Sequence, residues 1–252
     1  MLETKNLTIR FGGHVAVDHV SCTFQPGTLT AIVGPNGAGK TTYFNLISGQ
    51  LRASEGSVHL GGVDITRETA PARTHRGLGR AFQLTQLFPN LSVVENVRLA
   101  VQSRRHEGLN LWSVWLDHRN TLERAHALVE RVRLADRADA RASSLPHGDQ
   151  RKLEVAMLMA LEPGVYMFDE PTAGMSVDDV PVILDLIRDL KAQKDKTILL
   201  VEHKMDVVRE LADRIIVLHN GQLVADGEPA EVIASPVVQN AYLGVMPASE
   251  AA

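Results

Sequence analysis

Gly34-Pro35-Asn36-Gly37-Ala38-Gly39-Lys40-Thr41-Thr42 fits the phosphate-loop pattern G-x-x-x-x-G-K-[ST] at every position. Its flanks suit the chemistry. Leu29-Thr30-Ala31-Ile32-Val33 is apolar and β-prone, as a buried strand would be. Thr42 to Ser48 reads as a helix, with Gly49 placed to stop it. Glycines let a backbone turn tightly and aim its N–H groups at phosphate oxygens. The helix N-terminus adds partial positive charge. Lys40 supplies a full charge toward β- and γ-phosphates, and the Thr41 hydroxyl suits Mg²⁺.

The remaining composition sets bounds on this reading. The 252 residues suit one large domain, or one domain with a sizeable insertion. A net charge of −4 gives no sign of a general nucleic-acid binder, and no nucleic-acid partner is expected. The single cysteine, Cys22, excludes an intrachain disulfide and fits a cytosolic location. The N-terminal stretch Met1 to Lys5 does not read as a signal peptide. The longest apolar run, Val155 to Leu161, falls far short of the ~18 residues that span a bilayer. Work at a membrane would therefore need another chain as the anchor.

Outward from the loop, strands and helices alternate. Leu7 to Phe11 and Val15 to Phe24 predict a small antiparallel sheet, extended by Gly56 to Leu60 and Val63-Asp64-Ile65. Phe11 either stacks on a base or packs as a core aromatic. Leu91 to Val101 predicts a helix with Ser92 and Glu95 as a capping box. Thr121 to Leu134 predicts a second amphipathic helix. Between them, Trp112 and Trp115 form one greasy face, for internal packing or for a partner. Leu145 to Arg151 precedes a helix over Lys152 to Leu161, and a helix N-terminus attracts anions. Val165 to Phe168 then predicts a buried strand that delivers Asp169 and Glu170. Asp169 is placed to hold Mg²⁺ through water, and Glu170 to polarise an attacking water. Thr197 to Val201 predicts another buried strand, ending in Glu202-His203. His203 is either structural or positioned to reach a phosphate. Asn220-Gly221 marks a hairpin. The predicted fold is α/β: a P-loop NTPase core with a mostly parallel sheet, a small antiparallel β subdomain and an inserted helical subdomain.

Taken together, these motifs resemble the ATP-binding cassette of ABC transporters over nearly the whole chain. Gly34 to Thr42 matches the Walker A motif, and Gln83 in Arg80-Ala81-Phe82-Gln83 matches the Q-loop glutamine. Leu145 to Asp149 falls where the cassette signature sits. Phe168-Asp169-Glu170-Pro171-Thr172 matches Walker B with its catalytic glutamate, and His203 the switch histidine. Phe11 matches the aromatic that stacks on adenine. The resemblance implies one cassette domain over residues 1–246, a helical subdomain over about 84–162, and a short tail at 247–252. Finer features are similar to the ATP-binding subunits of branched-chain amino acid importers. These are Arg10 to Gly13, Leu145 to Arg151, Ala173-Gly174-Met175, Val201 to Met205 and Ala241 to Gly244. Lipopolysaccharide-type exporters and soluble cassette ATPases are the competing readings.

The resemblance also implies a mechanism and partners. Each ATP would lie between one cassette's phosphate loop and the signature of a second cassette, either a copy or a paralogue. Lys40, Glu170 and His203 would serve catalysis. Thr41, Asp169 and Gln83 would hold Mg²⁺. Permease subunits would place the chain peripherally at the cytoplasmic face of the inner membrane, served indirectly by a periplasmic solute-binding protein. This chain departs from the pattern in three places. Pro146 replaces the signature serine, Asp149 replaces its glutamine, and Ser176 stands where an aspartate usually does. Backbone N–H groups around His147 and Gly148 are therefore expected to carry the phosphate contact, with Asp149 turned away from it.

Overall fold

The computed structural model of the chain describes residues 1–81, 87–104 and 114–243, with side chains of the last stretch from 119 to 239. Gln83, the side chains of Trp112 and Trp115, and the tail 247–252 lie outside the residues so described.

The predicted phosphate-loop strand is β3 (Leu29–Val33), buried at every residue. It lies inside a sheet with β6 (Leu78–Ala81), β7 (Val165–Asp169), β8 (Thr197–Val201), β9 (Arg214–His219) and β10 (Gln222–Gly227), in the order β10-β9-β3-β8-β7-β6. All neighbours run parallel except β10, which turns back on β9 through the Asn220-Gly221 hairpin. Parallel strands need both faces covered, and the pattern of side chains supplies this. Tyr166, Phe168, Ile198 and Leu200 face one apolar cluster, while Val165, Met167, Leu199 and Val201 face another. The second face carries α1 (Lys40–Ser48) and the small sheet of β1 (Leu2–Phe11), β2 (His14–Phe24), β4 (Glu55–Leu60) and β5 (Val63–Asp64), ordered β2-β1-β4-β5. The first face carries α3 (Val93–Arg104), α4 (Val114–Arg131), α5 (His147–Leu161) and α6 (Val180–Ala192). A third apolar cluster joins Ala31, Val33, Ile215 and Val217 to α7 (Met205–Leu211), α8 (Pro229–Ala234) and α9 (Pro236–Leu243).

The register positions the site. Ile32 pairs with Val201, and Val201 with Asp169, so β3, β8 and β7 end in one row. Gly34, Glu170 and Glu202 leave the sheet together at its carboxyl edge, the usual ligand side of an open α/β sheet.

Some elements differ from the sequence reading. β1 starts at Leu2, because Thr4 is a buried polar residue that hides the alternation; its hydroxyl bonds the Tyr43 hydroxyl at 2.7 Å. α5 starts at His147, so His147, Gly148 and Asp149 of the signature lie in its first turn. α4 starts at Val114 and takes in Trp115. Among the described strands and α-helices, β6 and α2 (Ala70–His75) were not foreseen. α2 has only one buried residue, Arg73. The Arg73 guanidinium donates to the carbonyls of Leu46, Ile47, Thr66 and Glu68 at 2.7, 2.6, 2.9 and 3.3 Å. It thereby satisfies carbonyls at the C-terminal end of α1, where a cation is also favoured by the helix dipole. Among the described residues, no helix is long and apolar enough to cross a membrane.

Candidate nucleotide-binding and catalytic site

The phosphate loop is held from two sides. A Cβ on Gly34 would lie 2.1 Å from the Leu218 carbonyl oxygen, and one on Gly39 would lie 2.4 Å from that of Ala16. Both glycines also have positive φ, 151° and 95°, so no other residue fits at either place. Between them Asn36 and Gly37 are exposed, Pro35 is half-buried and Ala38 is buried. Lys40, Thr41 and Thr42 form the first turn of α1. The Lys40 ammonium donates to the carbonyls of Gly34 (2.7 Å) and Pro35 (2.9 Å), so its charge lies across the cradle. Burial lowers its pKa from the ordinary lysine value, and Glu170 and Asp169 act in the opposite direction.

Asp169 ends β7 with its side chain fully buried. Its Oδ2 accepts a 2.6 Å bond from Arg80 Nη2. Its Oδ1 is buried and has no partner among the described residues. A buried carboxylate oxygen left without a partner, on a residue whose charge acts on Lys40 at the start of α1, suits a cation that is held largely by phosphate and water. Among the described residues, no group of three or more His, Cys, Asp or Glu residues forms a cage for a metal. The donor set thus fits Mg²⁺ carried with a nucleotide, and offers no separate all-protein site.

Glu170 follows in the left-handed region, φ 49°, a conformation with a cost of ~1–3 kcal/mol for a non-glycine residue. Its N–H bonds the Val201 carbonyl at 2.9 Å, which ties the strained turn to β8. Its Oε1 meets His203 Nε2 at 2.9 Å. Two of the three predicted catalytic groups, Glu170 and His203, therefore touch each other. Glu202, unassigned from the sequence, organises this corner from below. It is 3% exposed. Its Oε2 accepts the N–H groups of His203 (2.8 Å) and Lys204 (3.2 Å), and its Oε1 accepts the Thr172 hydroxyl. The acid beside His203 was visible in the sequence, but its partner Thr172 is 30 residues away.

Phe11, at the end of β1, is 50% exposed, which removes the reading of it as a core aromatic. The signature lies apart. His147 is exposed and Gly148 half-buried at the start of α5. The hollow beside them is lined by Arg137, Asp149, Lys152, Gly174, Ser176 and Asp179 among others, and by no residue of the phosphate loop. Both Asp149 oxygens are engaged by cations, Oδ1 by Lys152 (3.1 Å) and Oδ2 by Arg137 (2.8 Å). Lys152 also bonds Asp179, whose Oδ2 accepts the Ser176 hydroxyl at 2.7 Å. These bonds hold the Asp179 carboxyl below the usual range. Arg80 carries no assignment from the sequence, although it stands in the stretch Arg80 to Gln83. An arginine among apolar neighbours before a glutamine motif was the available signal.

A glycine cradle on a central strand, a lysine across it and two carboxylates at a nearby strand end define a nucleotide site of the phosphate-loop NTPase class. The chain belongs to the ABC transporter family, whose model matches residues 17–173, and it is an ATP-binding cassette ATPase. It is 35% identical over 249 residues to the high-affinity branched-chain amino acid transport ATP-binding protein LivG of Escherichia coli, covering 97% of this chain and 98% of that one. It is 35% identical over 251 residues to the corresponding protein BraF of Pseudomonas aeruginosa, with the same coverage. Its fold matches an ATP-binding cassette of an ABC transporter solved in an ADP conformation, with TM-score 0.80, 30% identity, and 97% and 99% of the two chains covered.

Proposed function

We propose that this chain is the ATP-hydrolysing subunit of an importer for branched-chain amino acids or a related small polar solute. The observation that carries the solute class is the likeness to LivG and BraF over nearly the whole of both chains. Residues 1–246 act as one cassette, with the helices from about 84 to 162 as its inserted subdomain.

The roles of the residues follow from their chemistry. The N–H groups of Gly34 to Thr42 cradle the phosphates, and Lys40 releases the loop carbonyls to offset phosphate charge. Phe11 offers its exposed ring to the base. Thr41, Asp169 and Gln83 hold Mg²⁺, which when bound neutralises charge on the phosphate oxygens. Glu170 takes a proton from the attacking water as that oxygen bonds the γ-phosphorus and the bond to the β-phosphate oxygen breaks. His203 orients Glu170 through the 2.9 Å contact. The open hollow at His147 and Gly148 is presented to the ATP of a second cassette, so that two sites form only in a dimer.

A permease segment is the proposed occupant of an apolar groove of about 340 Å³ between β6 and the helices, lined by Leu87, Phe88, Leu99, Ala100, Met157 and Leu158. Phe88 is 50% exposed there and follows Gln83 by five positions in the sequence. The chain would then sit at the cytoplasmic face of the membrane, with a solute-binding protein on the other side. The test is to purify the tagged chain from detergent-solubilised membranes. Permease subunits, and a complex whose turnover rises with a branched-chain amino acid and its binding protein, are expected. Phe88→Glu is expected to keep nucleotide binding and lose the permeases. Purification without any membrane subunit would contradict the transport role.

A further inference from the structure

Arg80 is a buried cation that no step above uses. It sits on β6, the edge strand of the sheet, and its side chain is 5% exposed. Its two terminal nitrogens reach in different directions. Nη2 donates to Asp169 Oδ2 at 2.6 Å. Nη1 lies at 2.7 Å from Asn45 Oδ1, 3.0 Å from Ser48 Oγ and 3.1 Å from Gln50 Oε1. The Phe44 ring covers its Cζ at 5.4 Å. Asn45, Ser48 and Phe44 belong to α1, the helix whose first turn carries Lys40 and Thr41.

The geometry points to Arg80 as a positioning residue for the metal: it fixes Asp169 relative to the phosphate-loop helix so that Oδ1 faces the cation held by Thr41. This rests on the Mg²⁺ assignment proposed above. A carboxylate at a strand end can rotate about its terminal bond and expose either oxygen. With Oδ2 held by Arg80, only Oδ1 stays open, and Oδ1 is the oxygen without a partner. The other branch of the fork ties that orientation to α1, so the two metal-holding residues move as a unit. An ion pair that served stability alone would need no such link, and replacement of buried pairs by apolar groups is often neutral. The planar fork also explains the residue type, since a lysine carries all its donors on one nitrogen and cannot send separate nitrogens to two partners.

The test measures metal binding rather than turnover. Free Mn²⁺ is followed by electron paramagnetic resonance during titration into the full chain with saturating ADP, for the unaltered protein, Arg80→Met and Arg80→Lys. ADP affinity in EDTA is measured alongside. Arg80→Met is expected to weaken Mn²⁺ by about 10-fold or more, as loss of an outer-shell partner does, with ADP affinity in EDTA within ~2-fold of the unaltered protein. Arg80→Lys is expected to fall between the two. Mn²⁺ affinity unchanged or tighter in Arg80→Met, or an equal loss of ADP affinity in EDTA, would overturn the role. So would Arg80→Lys matching the unaltered protein, and this arm decides the matter even if Arg80→Met does not fold. If the unaltered protein with ADP took up no Mn²⁺, the metal assignment itself would fall together with the role of Arg80.

Discussion

Lys40 lies on the carbonyls of Gly34 and Pro35, which hold its ammonium over the cradle in place of phosphate oxygens. Lys40→Ala is expected to weaken ATP binding by about 1.5–3 kcal/mol, or ~10- to 100-fold, the usual worth of a charged hydrogen bond. A fluorescent-nucleotide titration that gave unchanged affinity would contradict the phosphate-loop assignment. At this scale the sequence was informative wherever chemistry is local. The loop, Asp169, Glu170 and His203 were found because their types and order carry the signal. What stayed hidden was pairing at a distance. The contact of Glu170 with His203 depends on the left-handed turn at Glu170, and that of Arg80 with Asp169 on two strands being neighbours. Neither contact has a local signature.

At the scale of elements, periodicity located the buried strands because each is short, apolar and bounded by turns. β3 and β8 start and stop where their patterns do, and β7 runs one residue past its apolar run, to Asp169. Elements held by one polar side chain were not legible. α2 has no apolar face and is organised by Arg73, which is 2% exposed and caps carbonyls from α1 and the β5–α2 connection. β6 includes Gly79 and Arg80, a poor strand signal, yet it completes the sheet beside β7. The first turn of α5 was obscured by Pro146 and Gly148, although Pro146 stands outside the helix as its N-cap. Arg73→Ala leaves several buried carbonyls without partners, so urea denaturation is expected to show a loss of about 3 kcal/mol or more. Arg73→Lys recovers little, because one ammonium cannot replace the fork. A loss below ~1 kcal/mol for Arg73→Ala would show that α2 and the end of α1 are held by something else.

At the scale of the molecule, one mostly parallel sheet gathers the phosphate loop, the acid pair and the Glu202-His203 corner on one edge, while the signature turn opens from a different hollow. On the proposed reading, a site divided in this way closes on a second cassette. ATP bridging the two halves would stabilise that dimer, and hydrolysis would remove the bridge, which would turn differential affinity into motion. Pro146 cannot donate the bond of the usual signature serine, and the Arg137-Asp149-Lys152-Asp179 chain of ion pairs stiffens the turn that remains. The most direct measurement is the mass of Glu170→Gln in solution with Mg²⁺ and ATP. The variant is expected to hold ATP, to turn over at least ~100-fold more slowly as the general base is lost, and to run at twice the 27.5 kDa chain mass, returning to the monomer mass with ADP. A variant that hydrolyses ATP at the unaltered rate would contradict the role of Glu170, and one that binds ATP and stays at the monomer mass would contradict a composite site built from two copies of this chain.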